Sequence, residues 1–125
     1  MRIIEKKQFT QFNFEASQAD KDYAKAICQE IRKQIKYPNI WVYGSWGAHN
    51  FTYGVGVNGY PILRFKVNGR KFKGYVHILY NPMDWYDIEF ISTHNNLKKR
   101  IEEVYFDELQ EKIDDYVEKI EEYVF

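Results

Sequence analysis

Several features that stabilise, anchor or activate small proteins are scarce in this chain. Cys28 is the only cysteine among 125 residues, which excludes an internal disulfide and gives no support to a secreted, disulfide-stabilised scaffold. No apolar run approaches the roughly 20 residues of a membrane span, and the N-terminal residues contain no apolar segment typical of a signal peptide. We therefore expect a cytoplasmic protein that makes no contact with a membrane.

Recognisable catalytic and metal-binding patterns are lacking as well. His49, His77 and His94 fall in a predicted turn, strand and loop, without the spacing of metal ligands. Cys28 lies beside an apolar helical stripe, which favours a buried thiol over a reactive one. The glycines of residues 54–59 approach the spacing of a phosphate loop, but no helix follows them. We therefore predict a non-enzymatic protein without a metal or other cofactor.

Acidic residues are scarce in the middle of the chain and abundant at its end, although the formal net charge is zero. Residues 41–100 carry eight Lys or Arg and three Asp or Glu, whereas residues 101–125 carry two and ten. This distribution predicts a dipolar molecule. Its basic centre and its acidic C-terminal segment can attract each other or two different partners.

Two segments have the periodicity of amphipathic helices. The first follows Ser17, which forms a near capping box with Asp20, and it should end near Lys36 because a proline follows two residues later. The second begins at Asp107, a predicted N-cap with Gln110 as its partner three residues on. Together they predict a helix at each end of a single domain, residues 1–125.

The region between the helices alternates with a period of two, which predicts an antiparallel meander. An N-terminal stretch, residues 8–14, is predicted to form a short edge strand or an extended arm, and residues 97–105 favour a last strand over the start of a helix. The other strands are predicted at residues 40–46, 51–57, 61–67, 71–80 and 85–91. The fold class is therefore α+β, with about five strands and both helices packed on one face of the sheet.

A two-residue turn at Asn68-Gly69 would fix the pairing of the central strands. It would place Lys66 opposite Lys71 and Arg64 opposite Lys73, on the face away from the helices. Like charges in such positions are destabilising, so something should compensate for them. Three explanations remain open: acids on the neighbouring strand, of which Asp87 or Glu89 should lie opposite His77; the acidic helix; or an external anion.

The outer sheet face is the first candidate site. A basic sheet with interleaved aromatic residues is typical of proteins that bind single-stranded nucleic acid. The candidate residues are Trp41, Tyr43, Arg64, Lys66, Lys71, Lys73, Tyr75, His77 and Trp85. A related hypothesis is an aromatic binding patch at one end of the sheet, formed by residues 41–47 with Tyr60 and Trp85.

The acidic C-terminal helix is the second candidate site. A row of carboxylates can imitate a phosphate backbone and occupy the nucleic-acid groove of another protein, although it can also be a solvated helix face. The row consists of Glu108, Glu111, Asp114, Asp115, Glu118, Glu121 and Glu122. Because negative charge at a helix C-terminus opposes the helix dipole, residues 121–125 are expected to fray.

Several short stretches resemble a family of small uncharacterised proteins from plasmids, conjugative elements and phages of gut bacteria. They are Ser45-Trp46-Gly47, Leu63-x-Phe65-x-Val67-x-Gly69, Lys73-Gly74-x-Val76-x-Ile78, Asp84-x-Tyr86-x-Ile88, Ile101-Glu102-Glu103-Val104-Tyr105-x-Asp107-x-Leu109 and Ile113-Asp114. The resemblance implies an accessory protein of a mobile element, in a setting rich in small inhibitors of host defence nucleases, including anti-CRISPR proteins. It implies no catalytic residue.

Two functions from different classes follow. The first hypothesis is a protein-binding module that engages a host defence or nucleic-acid-processing protein through the acidic helix or the aromatic sheet end. The second is a single-stranded nucleic-acid-binding protein that uses the outer sheet face.

Overall fold

The computed structural model of the chain describes residues 8–120, which form a five-stranded antiparallel sheet with helices at both ends of the chain. The elements are α1 (Gln18–Lys36), α2 (Ile40–Ser45), β1 (His49–Val55), β2 (Pro61–Asn68), β3 (Lys73–Asn81), β4 (Trp85–Ser92), β5 (Leu97–Val104), a 3-10 turn (Phe106–Glu108) and α3 (Leu109–Val117). The strand order is β1-β2-β3-β4-β5. The prediction of an α+β meander is confirmed.

Helix α1 begins and ends where the sequence predicts. The Ser17 hydroxyl accepts a hydrogen bond from the backbone N–H of Asp20 at 3.1 Å, which satisfies one of the free donors of the first turn. At the other end, the N–H of Tyr37 donates to the carbonyl of Lys33. Three of the buried residues, Cys28, Ile31 and Ile35, are spaced by three and four positions and form one face of the helix.

The predicted first strand over residues 40–46 is wrong, because this segment forms helix α2. The side chain of Asn39 accepts hydrogen bonds from the N–H groups of Trp41 and Val42, at 2.9 and 3.2 Å. This N-cap outweighs the strand preference of the aromatic and β-branched residues that follow. The helix ends at Ser45, and the side chain of the next residue, Trp46, is completely buried.

The predicted two-residue turn at Asn68-Gly69 is wrong in length. Strand β2 pairs with β3 so that Phe65 lies opposite Val76, four positions from the predicted partner Phe72. Residues 69–72 form a longer loop, because the carbonyl of Val117 at the end of α3 accepts hydrogen bonds from two of its N–H groups, at 2.9 and 3.2 Å. Since four is an even number, the side chains within β2 and β3 keep their predicted faces.

This register also removes the predicted pairs of like charge. Arg64 lies opposite His77, and Lys66 lies opposite Tyr75. The predicted pairing of His77 with an acid of the next strand is confirmed, since its partner is Glu89.

The predicted last strand is confirmed as β5, but Asp107 is not the N-cap of the last helix. A 3-10 turn precedes α3, and the N–H of Tyr105 donates to the carboxylate of Glu108 at 3.1 Å. The side chain of Gln110 instead donates to the carbonyls of Ile35 and Asn39, both at 2.9 Å. It therefore ties α3 to the region between α1 and α2.

One hydrophobic cluster joins the three helices to one face of the sheet. Trp46, Phe65 and Phe90 are its largest fully buried side chains, and burial of each such ring contributes roughly 1.5–3 kcal/mol. The buried members are Cys28, Ile31, Ile35, Trp46, Leu63, Phe65, Val67, Val76, Ile78, Tyr86, Ile88, Phe90, Val104, Leu109, Ile113 and Val117.

Residues 8–14 form an extended arm that reaches the opposite, outer face of the sheet. The arm is held at the end of β1, where the N–H of Asn13 donates to Val55 at 2.7 Å and Gln11 accepts from the N–H of Val57 at 2.9 Å. Further along, Thr10 hydrogen-bonds to Glu89 in β4. The outer face is therefore partly covered by the chain's own N-terminal region.

Candidate functional site

A buried carboxylate lies at the centre of the outer face. Glu89 is fully buried and accepts hydrogen bonds from the backbone N–H and the hydroxyl of Thr10, at 3.0 and 2.9 Å. It also pairs with the guanidinium of Arg100 in β5 and with Nδ1 of His77 in β3, the latter at 3.2 Å. Arg100 contacts Asp87 as well, at 3.6 Å. The buried charges of β4 are thus compensated inside the protein.

His77 lies between Glu89 and Arg64 and is fully buried. Burial lowers the pKa of His77, and the positive charge of Arg64 acts in the same direction against the pull of Glu89. The neutral ring donates from Nδ1 to Glu89 and accepts at Nε2 from the Arg64 guanidinium, at 3.0 Å. The rings of Phe9 and Phe12 cover it edge-on, at centroid distances of 5.6 and 5.8 Å.

The same contacts keep Glu89 ionised. Burial by itself would raise its pKa, but the hydrogen bonds from His77 and Thr10 outweigh burial, so the pKa of Glu89 is lowered. The Glu89 carboxylate is already paired with Arg100 and hydrogen-bonded to Thr10, so it does not form an ion pair with Arg64.

Arg64 is consequently fixed in place without losing its charge. Its guanidinium lies 4.1 Å from the ring centroid of Tyr75, and Lys66 Nζ lies 5.5 Å from the same ring. Among residues 8–120, no carboxylate lies within ion-pair distance of either cation. The exposed Lys73 follows on the same face, two residues before Tyr75. We call Arg64, Lys66, Lys73 and Tyr75 the basic face.

Other predicted members of this surface lie elsewhere. Lys71 belongs to the β2–β3 loop, where its ammonium group donates to the carbonyl of Asp115 in α3. Trp41 and Tyr43 lie on α2 rather than on the sheet, and Trp41 is 83% exposed. His77 takes part only indirectly, because it is buried and orients Arg64.

The predicted aromatic patch at one end of the sheet is not assembled. The carbonyl of Trp46 accepts a hydrogen bond from the N–H of Asn68, which places residues 41–47 near the β2–β3 loop. Trp85 pairs with Asn81, and Tyr60 precedes β2, so both lie at the opposite ends of these strands.

The acidic row of α3 is divided between internal and exposed positions. Asp114 accepts a hydrogen bond from the indole N–H of Trp46 at 2.9 Å, and Glu118 pairs with Arg70 in the β2–β3 loop at 2.8 Å. Glu111 and Asp115 are exposed. Two predicted members, Glu121 and Glu122, lie outside the described residues, and so does the expected fraying of residues 121–125.

Cys28 is 2% exposed, which confirms the prediction of a buried thiol, and burial raises the pKa of that thiol to about 12. Between residues 8 and 120, no group of three or more His, Cys, Asp or Glu side chains is arranged to hold a metal ion. None of the helices in that range has the length and apolar character needed to cross a bilayer.

Two residues of this site were not predicted from the sequence. Thr10 and Arg100 were not predicted, although they hold the buried carboxylate. Arg100 carried a usable signal, because it lies on the strand next to two acids of the outer face. Thr10 carried none, since the arm has no clear periodicity.

Comparison of the chain with protein-family models, with curated proteins and with solved structures found no match. The resemblance to small proteins of mobile elements therefore stays a prediction.

Proposed function

We propose that this protein is a non-enzymatic, cytoplasmic binding protein whose basic face binds single-stranded nucleic acid. The observation that supports this function is the grouping of Arg64, Lys66 and Lys73 around Tyr75, with no carboxylate partner among the described residues. Three uncompensated cations on one sheet face attract a polyanion, and neighbouring aromatic groups select one whose bases are unstacked.

Each residue of the basic face has a distinct role in this proposal. Lys66 and Lys73 neutralise successive phosphates as mobile point charges. Arg64 is held by His77 and Tyr75, so its planar guanidinium can contact a phosphate through two N–H groups at little entropic cost. A base stacks on the guanidinium plane of Arg64, on the side away from Tyr75.

Binding of a fluorescently labelled single strand, measured by anisotropy, tests the proposal. We expect the double variant Lys66→Glu/Lys73→Glu to raise Kd at least about tenfold, because it removes two phosphate contacts and adds repulsion. The matched control is Lys25→Glu/Lys33→Glu, which changes charge equally at exposed positions of α1. Equal losses in both variants, or none in the first, would reject the basic face as the binding surface.

A second candidate function is supported by an exposed apolar surface on the helical side. Tyr37, Ile40 and Trp41 are 63%, 50% and 83% exposed, and such neighbouring side chains are typical of protein-binding surfaces. Gln110 ties this region to α3, next to the exposed Glu111. The corresponding proposal is a mobile-element accessory protein that binds a host defence or nucleic-acid-processing protein here.

Affinity capture from host lysate, with and without nuclease treatment, separates the two candidates. If the second is correct, a protein is captured after nuclease treatment and is lost with Trp41→Ala or with Glu111→Lys/Asp115→Lys. If capture disappears on nuclease treatment, or if it is unchanged in these variants, the helical surface is not the contact.

A further inference from the structure

A cleft of about 870 Å³ lies beside the basic face. Its walls come from the N-terminal arm, from residues 52–55 of β1 and from the first turns of α1, and Arg64 of β2 also lines it. The volume lies within the roughly 300–1,000 Å³ that is usual for small-molecule sites. The cleft is therefore large enough to hold one small organic ligand.

One side of the cleft is aromatic. Phe12 packs directly on the backbone of Gly54, where a Cβ atom would lie only 2.7 Å from the ring. Phe14 lies 6.1 Å from Phe12, centroid to centroid, and is 84% exposed. These rings leave an open apolar surface that a planar heterocycle can stack against.

The other side is polar and carries one fixed cation. The hydrogen bond to His77 uses one of the five N–H donors of Arg64, so the remaining donors are available to an anion. Lys21 and Asp22 also line the cleft and offset each other in charge. Side-chain amides, such as those of Gln8 and Asn95, supply donors and acceptors that can pair with the edge of a base.

We propose that this cleft binds one nucleoside monophosphate unit, with the phosphate on Arg64 and the base against Phe12 and Phe14. The unit can be a free nucleotide or one residue of a strand, because both present the same chemistry. Where the unit belongs to a strand, the inference rests on the proposed function and identifies the nucleotide that is bound most deeply. The arm then serves as one wall of a binding site as well as a cover for His77.

Calorimetric titration with deoxyadenosine monophosphate tests the proposal directly. We expect measurable binding to the full chain and a rise in Kd of about tenfold or more with Arg64→Gln, which removes the charge that meets the phosphate. Phe14→Ala should weaken binding as well. Since Phe14 is 84% exposed, this variant is expected to fold even if Arg64→Gln does not.

Further titrations test the phosphate contact and the base contact one at a time. Deoxyribose 5-phosphate and deoxyadenosine should each bind at least about tenfold more weakly than the nucleotide, because each lacks one of the two contacts. Equal binding of deoxyribose 5-phosphate would overturn the base contact. Absence of nucleotide binding, or unchanged binding in Arg64→Gln and Phe14→Ala, would overturn the proposal as a whole.

The two binding experiments together distinguish failure of the cleft proposal from failure of the proposed function. If the full chain binds a labelled strand but not the mononucleotide, the cleft proposal is wrong and the basic face remains. If the chain binds the mononucleotide but no strand, the proposed function is wrong and the cleft is a site for free nucleotides.

Discussion

At the scale of single residues, the unusual feature is a buried ionic group under an extended arm. Glu89, His77 and Asp87 are at most 5% exposed, and such charges are costly to bury unless they are paired. Arg100 and Thr10 supply that pairing for Glu89. The arrangement leaves Arg64 oriented but not neutralised, which is the property that an anion site requires.

His77 should make the stability of the protein depend on pH. Its pKa is lower in the folded state than the unfolded value of about 6.5, because it is buried beside Arg64. Its contribution is therefore complete above pH 6.5 and is lost as the pH falls below that value towards the folded pKa. We expect urea denaturation to show decreasing stability from pH 7 to pH 5, and a flatter dependence in His77→Gln.

The control for this prediction is His94→Gln, at an exposed loop position. This variant should retain the pH dependence of the unmodified protein. A His77→Gln variant with an unchanged slope would show that His77 is not buried in its neutral form.

At the scale of elements, periodicity predicted those parts whose local pattern agrees with their environment. Helix α1 has a cap at Ser17 and a regular apolar face, and strands β2 to β4 alternate because one of their faces packs against the helices. Helix α2 was missed because its side chains favour strands, while its cap at Asn39 is a single residue in a short segment. The β2–β3 loop was misjudged because its length depends on α3, which is distant in sequence.

Gly69 tests the contact between that loop and α3. A Cβ atom at this position would lie 2.3 Å from the carbonyl oxygen of Val117, so the helix or the loop would have to move. We expect Gly69→Ala to reduce the free energy of unfolding by about 1–3 kcal/mol, as measured by urea denaturation. The matched variant Gly44→Ala has open space around it and should stabilise α2 by about 0.5–1 kcal/mol. Equal effects of the two substitutions would contradict the observed packing.

The acids of α3 should differ sharply in their contribution to stability. Asp114→Ala leaves the indole N–H of Trp46 buried without an acceptor, which should cost about 1–3 kcal/mol in thermal or urea unfolding. Glu111→Ala on the same helix removes an exposed carboxylate and should change stability by no more than about 0.5 kcal/mol. If neither substitution changed the free energy of unfolding, the helix would not dock through Asp114.

At the scale of the whole molecule, the separated charges do not simply neutralise each other. The acidic segment contacts the β2–β3 loop through Glu118 and Arg70, and this contact lies away from Arg64 and Lys66. The basic face is consequently left without a carboxylate partner within residues 8–120, although the net charge of the chain is zero. Net charge alone would have argued against binding of a polyanion.

The candidate site was predictable only in part. Alternation placed Arg64, Lys66, Lys73 and Tyr75 on one face, and this result survived a register error of four positions because that number is even. The burial of His77 was not predictable, because it depends on an arm without periodicity that crosses the sheet. A local sequence pattern predicts which side chains share a face of a strand. Whether another segment covers that face depends on tertiary contacts, which the pattern does not contain.

The salt dependence of single-strand binding tests the central claim most directly. With three phosphate contacts from the basic face, log K should fall with log salt concentration with a slope of about −2, and the slope should become shallower by about 0.7 in Lys66→Gln. The exposed Lys25→Gln on α1 should leave it unchanged. A slope near zero, or the same slope in all three proteins, would contradict the assignment of the basic face as a nucleic-acid-binding surface.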